Sequence, residues 1–216
     1  MRLDRAFFER PVLSVAPDLL GCVVTHRSRR GPVSVRLVEV EAYDGLDDPG
    51  SHAYRGETAR NRVMFGAAGF VYVYFTYGMH WCMNMVCGPV GRPSAVLLRA
   101  GEVVDGEGLA RERRGGGRDR DLARGPARLC KALGIAGVEN GLDALDPASP
   151  VTVSTADSAG PELGAAGRRV ASGPRVGLRL ASDRPWRFWL DGDPAVSAYR
   201  SHPRLAGGGI TAVSRP

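Results

Sequence analysis

Two glutamates, Glu39 and Glu41, stand two residues apart in Val38-Glu39-Val40-Glu41-Ala42-Tyr43, a run that is otherwise apolar up to its tyrosine. A carboxylate buried without a partner costs several kcal/mol, so one kept in such a run marks either a buried ion pair or a reactive group. Glu41 is the candidate for general acid–base work. Arg36 and Arg99 are the cations that could satisfy the two acids structurally. Two carboxylates two apart on a strand are about 7 Å apart along it, a separation that fits only the inverting class of glycoside hydrolysis. Tyr43, His52, Tyr72, Tyr74 and Tyr77 follow close by in the chain. Aromatic rings stack nucleobases and arginines hold phosphates, which is how enzymes handle a base swung out of a duplex. Tyr72 and Tyr74 can equally be core aromatics of one sheet face. Tyr77, beside Gly78 in a turn, is placed to wedge a base step.

The elements that must position these residues are mostly strands. Residues 33–43 alternate, with Val33, Val35, Leu37, Glu39, Glu41 and Tyr43 on one face and Arg36, Val38, Val40 and Ala42 on the other. Upstream, 16–21 reads as a short helical turn opened by Pro17 and Asp18 and stopped by Gly21, followed by a strand at 22–25 and a basic turn at 27–32. The polar stretch 44–62, which holds His52, is too long for a simple turn, and long loops are often functional. Residues 70–75 and 80–86 predict a β-hairpin with Tyr77 at its tip, Tyr72 and Tyr74 sharing one face and Val71, Val73 and Phe75 the other. A third strand covers 94–100 and contains Arg99. The arginine-rich segment 101–125 reads as a short helix and a loop. Pro126 opens and Gly134 closes a helix over 126–133. Residues 135–172 are turn-rich with one strand at 151–154; strands at 175–180 and 186–190 precede a coil-like tail rich in Pro and Gly.

With 216 residues, 44% hydrophobic and 24% charged, the chain can bury a core without disulfides or a structural metal. It has no apolar run of the roughly 20 residues that cross a bilayer, and its charged start is unlike a signal peptide. Cys22, Cys82, Cys87 and Cys130 show no Cys-x-x-Cys pair, which points to reduced thiols in the cytoplasm. His80 and Cys82 share a strand face, but no second pair completes a metal site. No nucleotide-binding glycine loop or serine-hydrolase elbow is present. The balance of 29 Lys plus Arg against 23 Asp plus Glu, a net charge of +6, suits a polyanionic partner. Only Lys131 among those 29 cations is a lysine, so Schiff-base chemistry has one side-chain candidate.

Several segments together carry a resemblance. Val38-Glu39-Val40-Glu41-Ala42-Tyr43, Ser51-His52-Ala53-Tyr54-Arg55-Gly56, Arg60-Asn61-Arg62-Val63-Met64-Phe65, the hairpin around Thr76-Tyr77-Gly78-Met79, Val96-Leu97-Leu98-Arg99-Ala100 and Gly125-Pro126-Ala127-Arg128-Leu129-Cys130 resemble, in that order, the 3-methyladenine (alkyladenine) DNA glycosylase family. The match is dense over about 18–133 and looser beyond. It implies an α+β fold: one compact domain spanning 1–216 around a curved, mostly antiparallel β-sheet, with few helices and a protruding hairpin that intercalates into DNA. It also implies Glu41 as the general base that deprotonates water, Arg99 as the arginine beside that water, and Tyr43, His52 and Tyr74 as the base-stacking pocket. Asn84 would crowd out the amino group of normal guanine, and Tyr77 would replace the flipped nucleotide.

The implied activity is hydrolysis of the N-glycosidic bond of alkylated or deaminated purines in double-stranded DNA. It needs no cofactor and no metal, and it is monofunctional, leaving an abasic site. A monomer without membrane association, in the cytoplasm or on a bacterial nucleoid, is the expectation. Two departures stand out: the family usually has a basic residue where Glu57 stands and proline where Ala59 stands, which weakens one expected DNA contact. Two rival readings use the same residues. A catalytically silent damaged-DNA-binding module would need only the basic aromatic surface, and a hydrolase of free nucleosides would need only Glu39 and Glu41.

Overall fold

The β-branched and aromatic runs pair into one large sheet. In the computed structural model, which describes residues 1–155 and 169–203, the strands are β1 (Val23–Ser28), β2 (Gly31–Tyr43), β3 (Val71–Thr76), β4 (His80–Cys87), β5 (Ser94–Asp105), β6 (Ala123–Arg124), β7 (Val151–Ser154), β8 (Val170–Gly173) and β9 (Arg187–Leu190). Their order is β3-β4-β5-β2-β1-β7, with β6 on β5 and the β8–β9 pair on β2. Every pairing is antiparallel. Four α-helices occur among the described residues: α1 (Arg5–Glu9), α2 (Val12–Asp18), α3 (Glu107–Arg114) and α4 (Pro126–Leu133). The α+β class with few helices is thus as expected.

Strand β2 organises the molecule. It pairs with β1 through its first half, with β9 at Glu39 to Glu41, and with β5 along nearly its whole length. Its register against β5 shifts on either side of Glu39, an irregularity of the kind that re-aims side chains next to functional sites. Val33, Val35 and Leu37 lie in the same apolar cluster as Val38, Val40 and Ala42. The single odd-numbered face expected from strict alternation therefore holds as a polar face only for Glu39, Glu41 and Tyr43. Met83 and Met85 of β4, Leu98 of β5, and Leu129 and Leu133 of α4 complete that core and are fully buried. Each such side chain contributes about 1.5–3 kcal/mol relative to exposure. A smaller cluster of Ala53, Met64, Tyr72, Val86 and Ala95 seats the 44–66 loop on the sheet.

Helix α4 has the expected bounds, with Pro126 in its first turn and Gly134 in the left-handed conformation that ends it. Three expectations are corrected. The N-terminal helix α2 ends rather than begins at Pro17 and Asp18; Gly21, at φ 85°, still marks the stop. Strand β5 runs on from the expected 94–100 to Asp105, because both β2 and β6 offer it partners there. Residues 175–180 form no strand. Their backbone is engaged elsewhere: Val176 N–H donates to a Glu41 carboxylate oxygen at 2.7 Å, and Gly177 N–H donates to the carbonyl of Arg200 at 2.9 Å. Strand β8, too short to show periodicity, was not foreseen. The Pro- and Gly-rich tail beyond 203, and the 156–168 portion of the turn-rich stretch, lie outside the described residues.

Candidate active site

The hairpin builds one wall of a pocket. Tyr72 pairs with Asn84, Tyr74 with Cys82 and Thr76 with His80 across β3 and β4. Tyr72, Tyr74, Cys82 and Asn84 face a pocket of about 320 Å3, while Val71, Val73, Met83 and Met85 on the opposite face join the core. Asn84 is held by its side-chain N–H, which donates to the Tyr72 carbonyl at 3.0 Å. His52 enters from the long polar loop: its Nδ1 lies 3.1 Å from the Tyr72 hydroxyl, and its ring meets Tyr74 edge-on with centroids 4.5 Å apart. Desolvation in the pocket, and then the Arg60 guanidinium, hold the His52 imidazole below its ordinary value although part of the residue is open to solvent. Its charged form is therefore disfavoured at neutral pH.

Tyr43 supplies a further aromatic wall, and behind it sits Glu41. Both Glu39 and Glu41 are completely buried. Glu41 accepts from the Tyr43 hydroxyl at 2.8 Å and from Val176 N–H at 2.7 Å, and Arg99 Nη1 lies 3.3 Å away. All three of those residues also line the pocket, so the carboxylate stands one layer behind its surface. Burial, then the charge of Glu41, pushes the Tyr43 phenol far up, which keeps it a donor to that carboxylate. Burial opposes the charge on Arg99, but Glu41 and Glu39 outweigh it and its pKa is raised.

Glu39 is occupied differently. One of its oxygens accepts from Arg99 Nε at 2.8 Å, Arg187 Nε at 2.7 Å and the Ser197 hydroxyl at 2.8 Å, and the other accepts from Ser197 N–H at 2.7 Å. Burial works against its charge, yet Arg99 and Arg187 hold its pKa below the usual carboxylate value. It serves as the anchor of a buried ion cluster. The two-carboxylate mechanism, which needs a second free acid, loses its support here.

Tyr77 stands at the hairpin tip, 86% exposed. Met79 N–H closes the turn onto the Thr76 carbonyl at 3.2 Å, and both central residues have positive φ, 51° at Tyr77 and 66° at Gly78. This is the dihedral pattern of a type I′ hairpin turn, which suits Gly at its second position but strains a tyrosine at its first. Glu57, one of the two departures from the family pattern, pairs with Arg62 at 3.2 Å.

Sequence reasoning missed the clamp that holds this arrangement. Arg175 and Asp48, 127 residues apart, are both wholly buried and paired through two hydrogen bonds, the Nη2–Oδ1 bond measuring 2.7 Å. Arg175 also donates to the Ala42 carbonyl at 2.9 Å and lies over the rings of Tyr43 at 4.6 Å and Trp186 at 5.1 Å. Gly50 makes room for it, since a Cβ there would come within 2.8 Å of the Arg175 guanidinium and 2.7 Å of Leu178 and push one of them aside. No local sequence signal joins these residues. Arg187 and Ser197, the other partners of Glu39, were missed for the same reason.

Among the described residues, no group of His, Cys, Asp and Glu is arranged to hold a metal ion. Lys131 is exposed on α4 and is not among the residues lining the pocket. A pocket walled by aromatic rings, with a carboxylate behind it and no lysine at it, suits hydrolytic release of a base from its sugar, and the comparisons with known proteins put the chain in that class, the DNA glycosylases. Residues 6–194 match the family model described as Methylpurine-DNA glycosylase (MPG). A protein of Streptomyces avermitilis named "Putative 3-methyladenine DNA glycosylase" is 56% identical over 203 residues, 93% of this chain and 92% of its own length. Proteins of the same name from Frankia casuarinae and Nocardia farcinica are 54% identical over 198 residues and 50% identical over 208, each covering at least 90% of both chains. The chain belongs to the methylpurine-DNA glycosylase family: it is a monofunctional DNA-repair glycosylase.

Proposed function

We propose that the protein releases alkylated or deaminated purines, of the 3-methyladenine type and extending to hypoxanthine or ethenoadenine, from double-stranded DNA and leaves an abasic site. Tyr77 enters the base stack and takes the place of the flipped nucleotide. The extruded base stacks among Tyr43, His52 and Tyr74, with the Asn84 amide crowding the position of guanine's exocyclic amino group. Glu41 takes a proton from a water beside Arg99; the water oxygen bonds to C1′ as the C1′–N bond breaks, and the electron pair leaves with the purine. Alkylation at N3 makes the base cationic and a better leaving group, so stacking and one carboxylate beside the developing oxocarbenium are what the protein must add.

The observation that carries this reading is the position of Glu41. It accepts hydrogen bonds from Tyr43 and Val176 and pairs with Arg99, and all three residues also line the aromatic pocket. A damage-binding module would have no use for a buried acid in that place. The test is single-turnover excision from duplexes carrying hypoxanthine or ethenoadenine, and of 3-methyladenine from methylated DNA, comparing wild type with Glu41→Gln. Base release by wild type alone, with strands that break only after alkali, is the expected result. Release of no base, with tight salt-sensitive binding retained, would replace the enzyme by the silent binding module.

A further inference from the structure

The base pocket does not end at Arg99 and Val176. Both residues also line a second cleft of about 350 Å3, whose other walls include Arg124, Arg128 and Arg200. Arg128 and Asp121 in turn line a third, more open cleft together with Arg114 and Arg118. The three hollows thus share residues in series and make one track that leaves the pocket past the start of α4. Setting aside Arg99, which is neutralised by Glu39 and Glu41, the two outer clefts gather five arginines, at 114, 118, 124, 128 and 200, against one carboxylate, Asp121.

That carboxylate is divided between two of them, 3.4 Å from Arg118 and 3.4 Å from Arg124. Arg128 and Arg200 are exposed, and Arg114 has a buried Nε with no hydrogen-bond partner. Several surface arginines elsewhere have close acid partners: Arg30 with Glu112, Arg111 with Glu107 and Asp119, Arg36 with Glu102. Like charges left together along a groove, with one acid among five cations, fit a ligand that brings its own row of negative charges.

We propose that this track is a phosphate-binding site for the backbone of the strand that carries the extruded nucleotide, with Arg128 and Arg200 holding one flanking phosphate and Arg114 and Arg118 one further along. It rests on the DNA glycosylase reading only in taking the strand to start from the base pocket. Contacts to phosphates position a strand without reading its sequence, so the site adds affinity and register, not choice of lesion.

The experiment measures Kd against salt concentration for a duplex bearing a tetrahydrofuran abasic analogue, which cannot be turned over. Arg128→Gln, Arg200→Gln and the double variant Arg114→Gln/Arg118→Gln are compared with Arg2→Gln, an exposed arginine on the β7 side of the sheet. Each phosphate contact removed should lower the slope of log K against log salt by about 1, and Arg128→Lys should keep most of the slope that Arg128→Gln loses, because counterion release depends on the charge at the phosphate. Shortening the duplex on one side of the analogue, and not on the other, should abolish the effect of the track variants. The site is overturned if the track variants change the slope no more than Arg2→Gln does, or if Arg128→Lys fails to rescue. A wild type that binds with the expected slope but releases no base would sink the proposed activity while leaving the track standing.

Discussion

Glu39 and Glu41 are the same residue type, two positions apart on one strand, and equally buried, yet the fold makes them into opposite things. Glu39 receives four short hydrogen bonds, two of them from arginines. Glu41 receives a phenol and a backbone N–H, with one guanidinium nitrogen at 3.3 Å. The first is a carboxylate whose acceptor sites are used by the protein. The second keeps its partners on the pocket side. Burial alone thus says nothing about reactivity; the identity and position of the donors decide it.

Substituting the two in parallel breaks or confirms that contrast. Glu41→Gln should lower single-turnover excision by about 10²–10⁴-fold, the usual worth of a general base, with a melting temperature near that of wild type. Glu39→Gln should do the reverse. Weakening a buried ion cluster of this kind costs about 3–5 kcal/mol when a charge is left uncompensated, roughly 6–20 °C in melting temperature for a domain of this size. If Glu39→Gln melts like wild type and excises like Glu41→Gln, the division of roles is wrong.

The Arg175–Asp48 clamp gives a stability effect of similar size with a catalytic signature attached. Arg175→Met leaves Asp48 buried with the N–H groups of Asp44 and Gly50 and one more distant cation, Arg184 at 3.8 Å, and should cost about 3–5 kcal/mol. Because Val176 and Tyr43 both lean on Arg175, the folded fraction should also excise slowly at saturating DNA, and Arg175→Lys should recover stability only in part, one amine being unable to match a two-pronged contact. A variant that melts early yet excises at the wild-type rate would reduce the clamp to a structural role.

At the hairpin tip the effect on stability is small and of opposite sign. Tyr77 sits at φ 51°, so Tyr77→Gly should leave stability unchanged or raise it by about 1 kcal/mol while crippling excision from duplex DNA. Thermal melting beside duplex excision checks both halves at once. Loss of both stability and activity would mean that the tyrosine ring packs on the protein and is no wedge.

The smallest expected effect is on the acid side. The folded-state pKa of His52 lies below its unfolded value, so between the two the unfolded chain binds more protons and stability falls as pH drops below about 6.5. Glu39, also lowered, contributes stability that is complete above the ordinary carboxylate range and lost as pH falls through and below it. Melting temperature against pH should decline in these two stages, and His52→Gln should remove the first. A profile flat from pH 7 to 5 in wild type would contradict the environment described for His52.

Much of this architecture is legible in the sequence. Strand periodicity around Glu41, the Tyr-Gly turn between two β-rich runs and the Pro and Gly bracketing α4 are local signals, because they arise from backbone sterics and from the two-residue period of a strand. Of the residues singled out from the chain or from the resemblance, Tyr43, His52, Tyr74, Asn84 and Arg99 line one pocket, Tyr77 is exposed at its rim, and Glu41 stands behind it.

The strand expected at 175–180 failed because alternation there is short, and because the energetics of a buried arginine outweighed it: Arg175 goes inward to Asp48, and its neighbour's N–H goes to Glu41. Local patterning is enough for the strand-rich architecture, and the motifs are enough for the family. The long-range contacts settle which glutamate anchors the ion cluster and which stands behind the pocket, since those outcomes depend on Arg187, Ser197 and Val176, donors more than a hundred residues away. Hydrogen bonds and ion pairs in a low-dielectric interior act over a few ångströms whatever the distance along the chain, so local patterning cannot assign them.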